Sequence, residues 1–126
     1  MTTPMTRRCA AALFLLFAAT PLAAQPQDGT YRRAEAPRDR MVVRLQQSGE
    51  LAVRIETAAP NGQTCEVDEV LELRGDVATF RDLEIATRDW TLRFDGDRAV
   101  VSYDGVQRGY CGPGAGFRGE WRRETR

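Results

Sequence analysis

From residue 25 onward the chain alternates apolar and polar side chains in short runs divided by turn residues. Leu51, Val53 and Ile55 alternate with Ala52, Arg54 and Glu56, and Trp90, Leu92 and Phe94 alternate with Thr91, Arg93 and Asp95. A period of two is that of a strand with one face buried. Ala99, Val101 and Tyr103 return after Asp95-Gly96-Asp97, a short hairpin turn. Further strands are predicted at 30–33, at 41–46 with Met41, Val43 and Leu45 on one face, at 64–73, at 77–81, and where Phe117, Gly119 and Trp121 alternate with charged residues. Turns are predicted at Pro37-Arg38-Asp39, Ser48-Gly49-Glu50, Pro60-Asn61-Gly62, Gly75-Asp76 and Asp104-Gly105. Residues 83–87 fit either a strand or a helical turn.

About eight short strands at regular spacing, with no apolar stripe of helical period, predict an all-β domain. Short connections favour an antiparallel meander, and closing the sheet leaves no exposed edge. The expected architecture is a small eight-stranded barrel, with a two-sheet β-sandwich as the alternative. Gly29-Thr30-Tyr31-Arg32-Arg33 and Gly119-Glu120-Trp121-Arg122-Arg123 echo each other. They fit a first and a last strand pairing at the barrel seam, aromatic inward and arginine outward, or a duplicated motif. In 64–73 the parity of Cys65, Val67, Leu71 and Leu73 carries Glu69 with it. Glu69 therefore faces inward with a partner, or a bulge near Val70 resets the register.

The N-terminus changes the picture of where the domain works. Arg7 and Arg8 precede an apolar run over 10–19, Pro21 breaks it, and Leu22-Ala23-Ala24 ends in small residues. This order is that of a cleavable secretory signal, and the run is too short to span a bilayer. Residues 1–24 are the expected signal peptide and 25–126 a single domain, periplasmic or secreted, with no stable membrane anchor after cleavage. The chain has 18 arginines, no lysine and 18 acids, so removal of Arg7 and Arg8 leaves 16 against 18, a net charge of −2. A mildly acidic domain offers no basic excess for nucleic acid. Cys65 and Cys111 are the two cysteines beyond the signal. In an exported chain they read as one disulfide, closing a loop of about 47 residues and contributing roughly 4 kcal/mol in the chain-entropy model.

Catalytic chemistry is hard to assemble from what remains. The chain has no histidine, the commonest general base and neutral metal ligand. Ser48 and Ser102, the serines of the domain, lie outside any nucleophile-elbow pattern. Glu66, Asp68 and Glu72 alternate as an outward polar row, and Asp95 and Asp97 flank a turn glycine. Two cysteines without histidine do not complete a zinc site. No enzyme activity, metal or cofactor is expected.

The most informative stretch is Tyr110-Cys111-Gly112-Pro113-Gly114-Ala115-Gly116-Phe117. Four glycines beside the disulfide let backbone approach a partner closely, between two aromatic residues; the same composition fits a wide loop pinned by Cys65. Cys111-Gly112-x-x-Ala115-x-Phe117-x-Gly119-x-Trp121-Arg122-Arg123 resembles the C-terminal signature of a group of small exported proteins of Gram-negative bacteria, Cys-Gly-x-x-Ala-Ser-Phe-Asp-Gly-x-Tyr-Arg-Arg. It departs from that signature at Gly116, Arg118 and Trp121. Exported proteins of this size and barrel-like shape include inhibitors of c-type lysozyme and of endogenous peptidoglycan hydrolases. The resemblance implies a binding module of that kind, with a lysozyme-like hydrolase as partner. Tyr110, Gly112, Pro113, Gly114 and Phe117 are then the expected plug, and Ser48, Gly49 and Glu50, an echo of the Ser-Gly loop of such inhibitors, the secondary contact. The alternatives are a carrier of a small apolar ligand and an envelope accessory protein without separable activity.

Overall fold

The computed structural model describes residues 28–85, 88–105, 107 and 109–125. The expected signal peptide lies outside the described residues, as do two residues of the ambiguous 83–87 stretch.

Eight strands follow one another along the chain: β1 (Gly29–Arg33), β2 (Arg40–Leu45), β3 (Leu51–Ala58), β4 (Thr64–Arg74), β5 (Val77–Phe80), β6 (Trp90–Asp95), β7 (Arg98–Ser102) and β8 (Gly119–Arg123). Each pairs antiparallel with the next, and β8 returns to β1, closing a barrel in sequence order. The expected barrel is therefore present, and the sandwich is not. Alternation explains the choice of inner face. Along β3, Leu51, Val53, Ile55 and Thr57 are buried while Arg54, Glu56 and Ala58 are exposed. Tyr31, Met41, Leu92, Phe94, Trp90 and Trp121 fill the interior beside them. An eight-stranded barrel is just wide enough to be filled by its own side chains. Leu45 shares the inward parity of Met41 and Val43 but lies at the lip of the barrel, 46% exposed.

The seam forms as its sequence echo suggests. Arg32 pairs with Arg122 across β1 and β8, and Tyr31 and Trp121 point inward, fully buried. Glu69 faces inward too. The β3–β4 register runs unbroken from Leu51↔Leu71 through Val53↔Glu69 to Ala58↔Thr64, with no bulge.

One pairing is incomplete. β4 has 11 residues, yet only Glu72, Leu73 and Arg74 pair with β5. The first half of β4 thus turns an unpaired edge toward β5, and unpaired strand edges need cover. The segment after β7 supplies it, as described below.

Hairpin connections alternate between the two barrel ends. The β1–β2, β3–β4, β5–β6 and β7–β8 connections share one end, here the upper end. The β2–β3, β4–β5 and β6–β7 turns, with Asp28 and Glu124, share the lower end. Truncating a large interior side chain removes buried area and leaves a cavity. Trp121→Ala is expected to lower unfolding stability by about 3–5 kcal/mol, and Val70→Thr on the outer face by under about 0.5 kcal/mol. Equilibrium urea unfolding of the two variants checks the difference.

Candidate functional site

The upper end is covered by the long β7–β8 connection. It leaves β7, reaches β4 across the barrel, and returns to β8. Two backbone hydrogen bonds, which together make one antiparallel bridge, dock it on the uncovered edge of β4. Glu66 N donates to Tyr110 O at 2.9 Å, Gly112 N donates to Thr64 O at 3.0 Å, and Cys65 and Cys111 form an isolated antiparallel bridge. The disulfide joins the same two residues, with Cα atoms 4.1 Å apart. The segment therefore acts as a short strand in the place where β5 does not reach.

Side chains of the connection then enter the barrel. Tyr110 and Phe117 are buried, Phe117 completely, and Gln107 is only 2% exposed. Phe117 meets Trp90 edge-on at 5.3 Å between ring centroids and lies 4.8 Å from Tyr103. Tyr110 packs edge-on against Phe80 of β5 and against Phe117. Its hydroxyl donates to Glu69 Oε1 at 3.2 Å. That contact answers the question of Glu69: the partner of the inward acid is a tyrosine, seated between β4 and β5. Burial pushes the Tyr110 pKa up to about 12, and the neighbouring Glu69 carboxylate acts in the same direction.

These positions correct the expected contact surface. Tyr110 and Phe117 are not side chains offered to a partner; they close the barrel's own end, because the loop crosses the mouth and its aromatics have interior volume to fill. Their outward-facing neighbours remain. Pro113 and Gly114 are exposed, and Gly112 partly so. Asn61 Nδ2 donates to Pro113 O at 3.0 Å. A Cβ at Gly112 would overlap Gln63 Oε1, and Gly114 has φ +79°, a conformation glycine takes at little cost. The glycines thus let the loop lie flat on the β3–β4 turn. Ser48, Gly49 and Glu50 are exposed but belong to the β2–β3 turn at the lower end. The structure does not bring them to the loop, so they form no joint surface with it.

A further upper-end element was not singled out by the sequence. The β5–β6 connection, the ambiguous stretch, projects Leu83, which is 99% exposed, and Ile85, which is 45% exposed. The loop is braced from within. Asp82 Oδ1 accepts from Glu84 N at 2.9 Å and Ile85 N at 3.1 Å. These backbone donors, Glu84 first, hold the Asp82 carboxyl below its usual pKa. Asp82 also pairs with Arg88 at 3.2 Å, and the Arg88 guanidinium lies over the Tyr110 ring at 4.7 Å. Two apolar residues separated by one acid, Glu84, read no differently from a short strand, so no signal in the sequence identified it as a projecting tip.

On the other flank, Asp39 is 2% exposed. It accepts from Ala58 N at 3.1 Å and from Arg33 at 3.1 Å. Arg33 in turn donates to Gly116 O at 2.8 Å and Arg118 O at 3.1 Å, and lies over Trp121 at 5.2 Å. Both arms of the β7–β8 connection are thereby fixed, one by the disulfide and one by this buried ion pair. Among the described residues no group of three or more cysteine, aspartate and glutamate side chains is arranged to hold a metal ion, and no helix is long and apolar enough to cross a membrane.

The tyrosine–glutamate contact has a pH consequence. The unfolded chain loses the tyrosine proton near pH 10, whereas folded Tyr110 keeps it to about 12. The unfolded state therefore binds fewer protons in that window, and stability falls as pH rises from about 10 to 12. Tyr110→Phe is expected to flatten that fall; the raised pKa of buried Tyr31 leaves a residue of it. Thermal unfolding of the protein and the variant between pH 8 and 11.5 reads the slopes.

No protein-family model matches this chain, and neither a curated protein nor a solved structure matches it.

Proposed function

We propose that the protein is an exported binding module, working in the periplasm or outside the cell, that inhibits a lysozyme-like peptidoglycan hydrolase with the upper end of its barrel. The observation that carries this reading is Leu83, a large apolar side chain 99% exposed on a loop tied internally by Asp82 and Arg88. An apolar anchor held in its binding conformation loses little freedom on docking. Glu84 beside it, and the domain's acidic balance, favour a basic enzyme rim. Ile85 stands beside the tip, and Pro113 and Gly114 are exposed on the same end of the barrel.

The site thus differs from the one expected from glycine content alone. The contact passes from Tyr110 and Phe117 to Leu83 and Ile85, and only Gly112, Pro113 and Gly114 keep their place at its margin. A carrier of a small apolar ligand finds less support, because aromatic and aliphatic side chains fill the barrel interior.

Clearing of a cell-wall suspension by a c-type lysozyme, titrated with the purified protein, tests the reading. Inhibition is expected to saturate near one-to-one, and Leu83→Asp is expected to weaken it by at least about tenfold, some 1.4 kcal/mol. As an exposed substitution, Leu83→Asp is expected to change stability by less than about 0.5 kcal/mol. No inhibition by the unaltered protein removes this enzyme class as target; full inhibition by the variant removes Leu83 as the anchor.

A further inference from the structure

The crossing segment covers β4 only as far as Glu66. Thr64 O and Glu66 N bond to it. In a strand the backbone groups alternate sides from one residue to the next, so Asp68 and Val70 turn their N–H and C=O groups the same way, off β3. Pairing with β5 begins only at Glu72, and β5 ends at Phe80, one residue short of the position opposite Val70. Among the described residues nothing bonds the backbone of Asp68 or Val70 on this side. Both residues are exposed, Val70 at 47%.

A short open edge therefore remains between the crossing segment and β5. Its N–H and C=O groups come in two sets, two residues apart, about 6.8 Å along the strand. In an antiparallel ladder each such set exchanges both bonds with one residue of the neighbouring strand. The spacing is thus that of a polypeptide backbone. A second copy of this chain is a poor occupant. Two β4 edges paired about a two-fold axis through the gap place Glu69 opposite Glu69, and like charges directly opposite destabilise a sheet.

We propose that the β4 edge at Asp68 and Val70 takes an extended peptide segment of a partner protein as an added strand. The segment runs antiparallel to β4, in line with β5 and the Cys111 bridge, which both run that way. Its residues opposite Val70 and Asp68 point outward with them. The residue between these two points inward opposite Glu69, where Tyr110 already holds the carboxylate and Phe80 packs on the Tyr110 ring, so it must be small. Arg54 stands opposite Asp68 on β3 but is bonded to Glu56 at 3.2 Å, and Asp68 has no ion pair among the described residues. A cation directly opposite Asp68 and an aliphatic side chain beside exposed Val70 make favourable cross-strand pairs. In chain order the segment reads aliphatic, small, basic. The proposal is independent of the Leu83 surface, because it uses the backbone of β4 and not the β5–β6 tip.

The blocked pentapeptide acetyl-Gly-Val-Gly-Arg-Gly-amide, titrated at millimolar concentration into the isotope-labelled, oxidised protein, tests it by nuclear magnetic resonance. Saturable shifts centred on the Asp68 and Val70 amides are expected. N-methylation of the peptide's valine, whose N–H meets Val70 O, is expected to abolish them, and leucine in place of the central glycine to weaken binding. Val70→Pro deletes the N–H that faces the gap and spares the β3–β4 ladder, a position where a strand tolerates proline. It is expected to lose binding while the Val53 and Ile55 amides keep their shifts. Asp68→Asn is expected to weaken binding by about two- to fivefold. No shift at Asp68 and Val70, equal binding of the N-methylated or leucine peptide, or full binding by either protein variant overturns the proposal.

Discussion

The half-open seam between β4 and β5 is the constraint on which this fold depends. β5 pairs with only the last three residues of β4, and the barrel would otherwise present a polar edge and an aromatic interior to water. Cover comes from residues 46 positions away in sequence, held by Cys65–Cys111. The disulfide's contribution is thus local as well as entropic. It shortens the loops of the unfolded chain, and it keeps Tyr110, Gln107 and Phe117 over the mouth of the barrel. The buried Arg33–Asp39 pair at 3.1 Å fixes the returning arm. Removing one partner of such a pair leaves a charge without compensation, so the pair keeps the returning arm in place.

The cap determines what is left for a partner. With the crossing aromatics turned inward, the outer surface of the upper end is made by Gly112–Gly114, the tip of the β5–β6 loop and the β1–β2 and β3–β4 connections. That tip is positioned by the cap itself, because Arg88 bridges Asp82 to the Tyr110 ring. Closing the barrel and projecting Leu83 are therefore one arrangement. At the other seam, closure pairs the first strand, β1, with the last, β8.

Much of this was legible in the sequence. Alternation at Leu51–Val53–Ile55 and Trp90–Leu92–Phe94 marks half-buried strands because each residue step reverses the side-chain direction. The cysteines and the Tyr31 and Trp121 echo pointed to the staple and the seam. The cap was not legible, since Tyr110-Cys111-Gly112 reads the same whether its aromatics face a partner or the interior. Only the short reach of β5 decides between them, and strand ends are set by pairing that no local pattern displays. The placement of Ser48 was within reach. In a meander barrel, connections alternate between ends, so the second and the seventh lie opposite. Leu83 gave no periodic signal because a projecting tip packs against nothing.

Amide hydrogen exchange in the oxidised and the reduced protein tests the central claim most directly. If the crossing segment completes the β4 edge, the amides of Glu66 and Gly112, which donate to Tyr110 O and Thr64 O, are protected in the oxidised protein as strongly as those of β3. On reduction they lose that protection while Val53 and Ile55 keep theirs. Fast exchange at Glu66 and Gly112 with the disulfide intact, or unchanged protection after its reduction, would contradict the account.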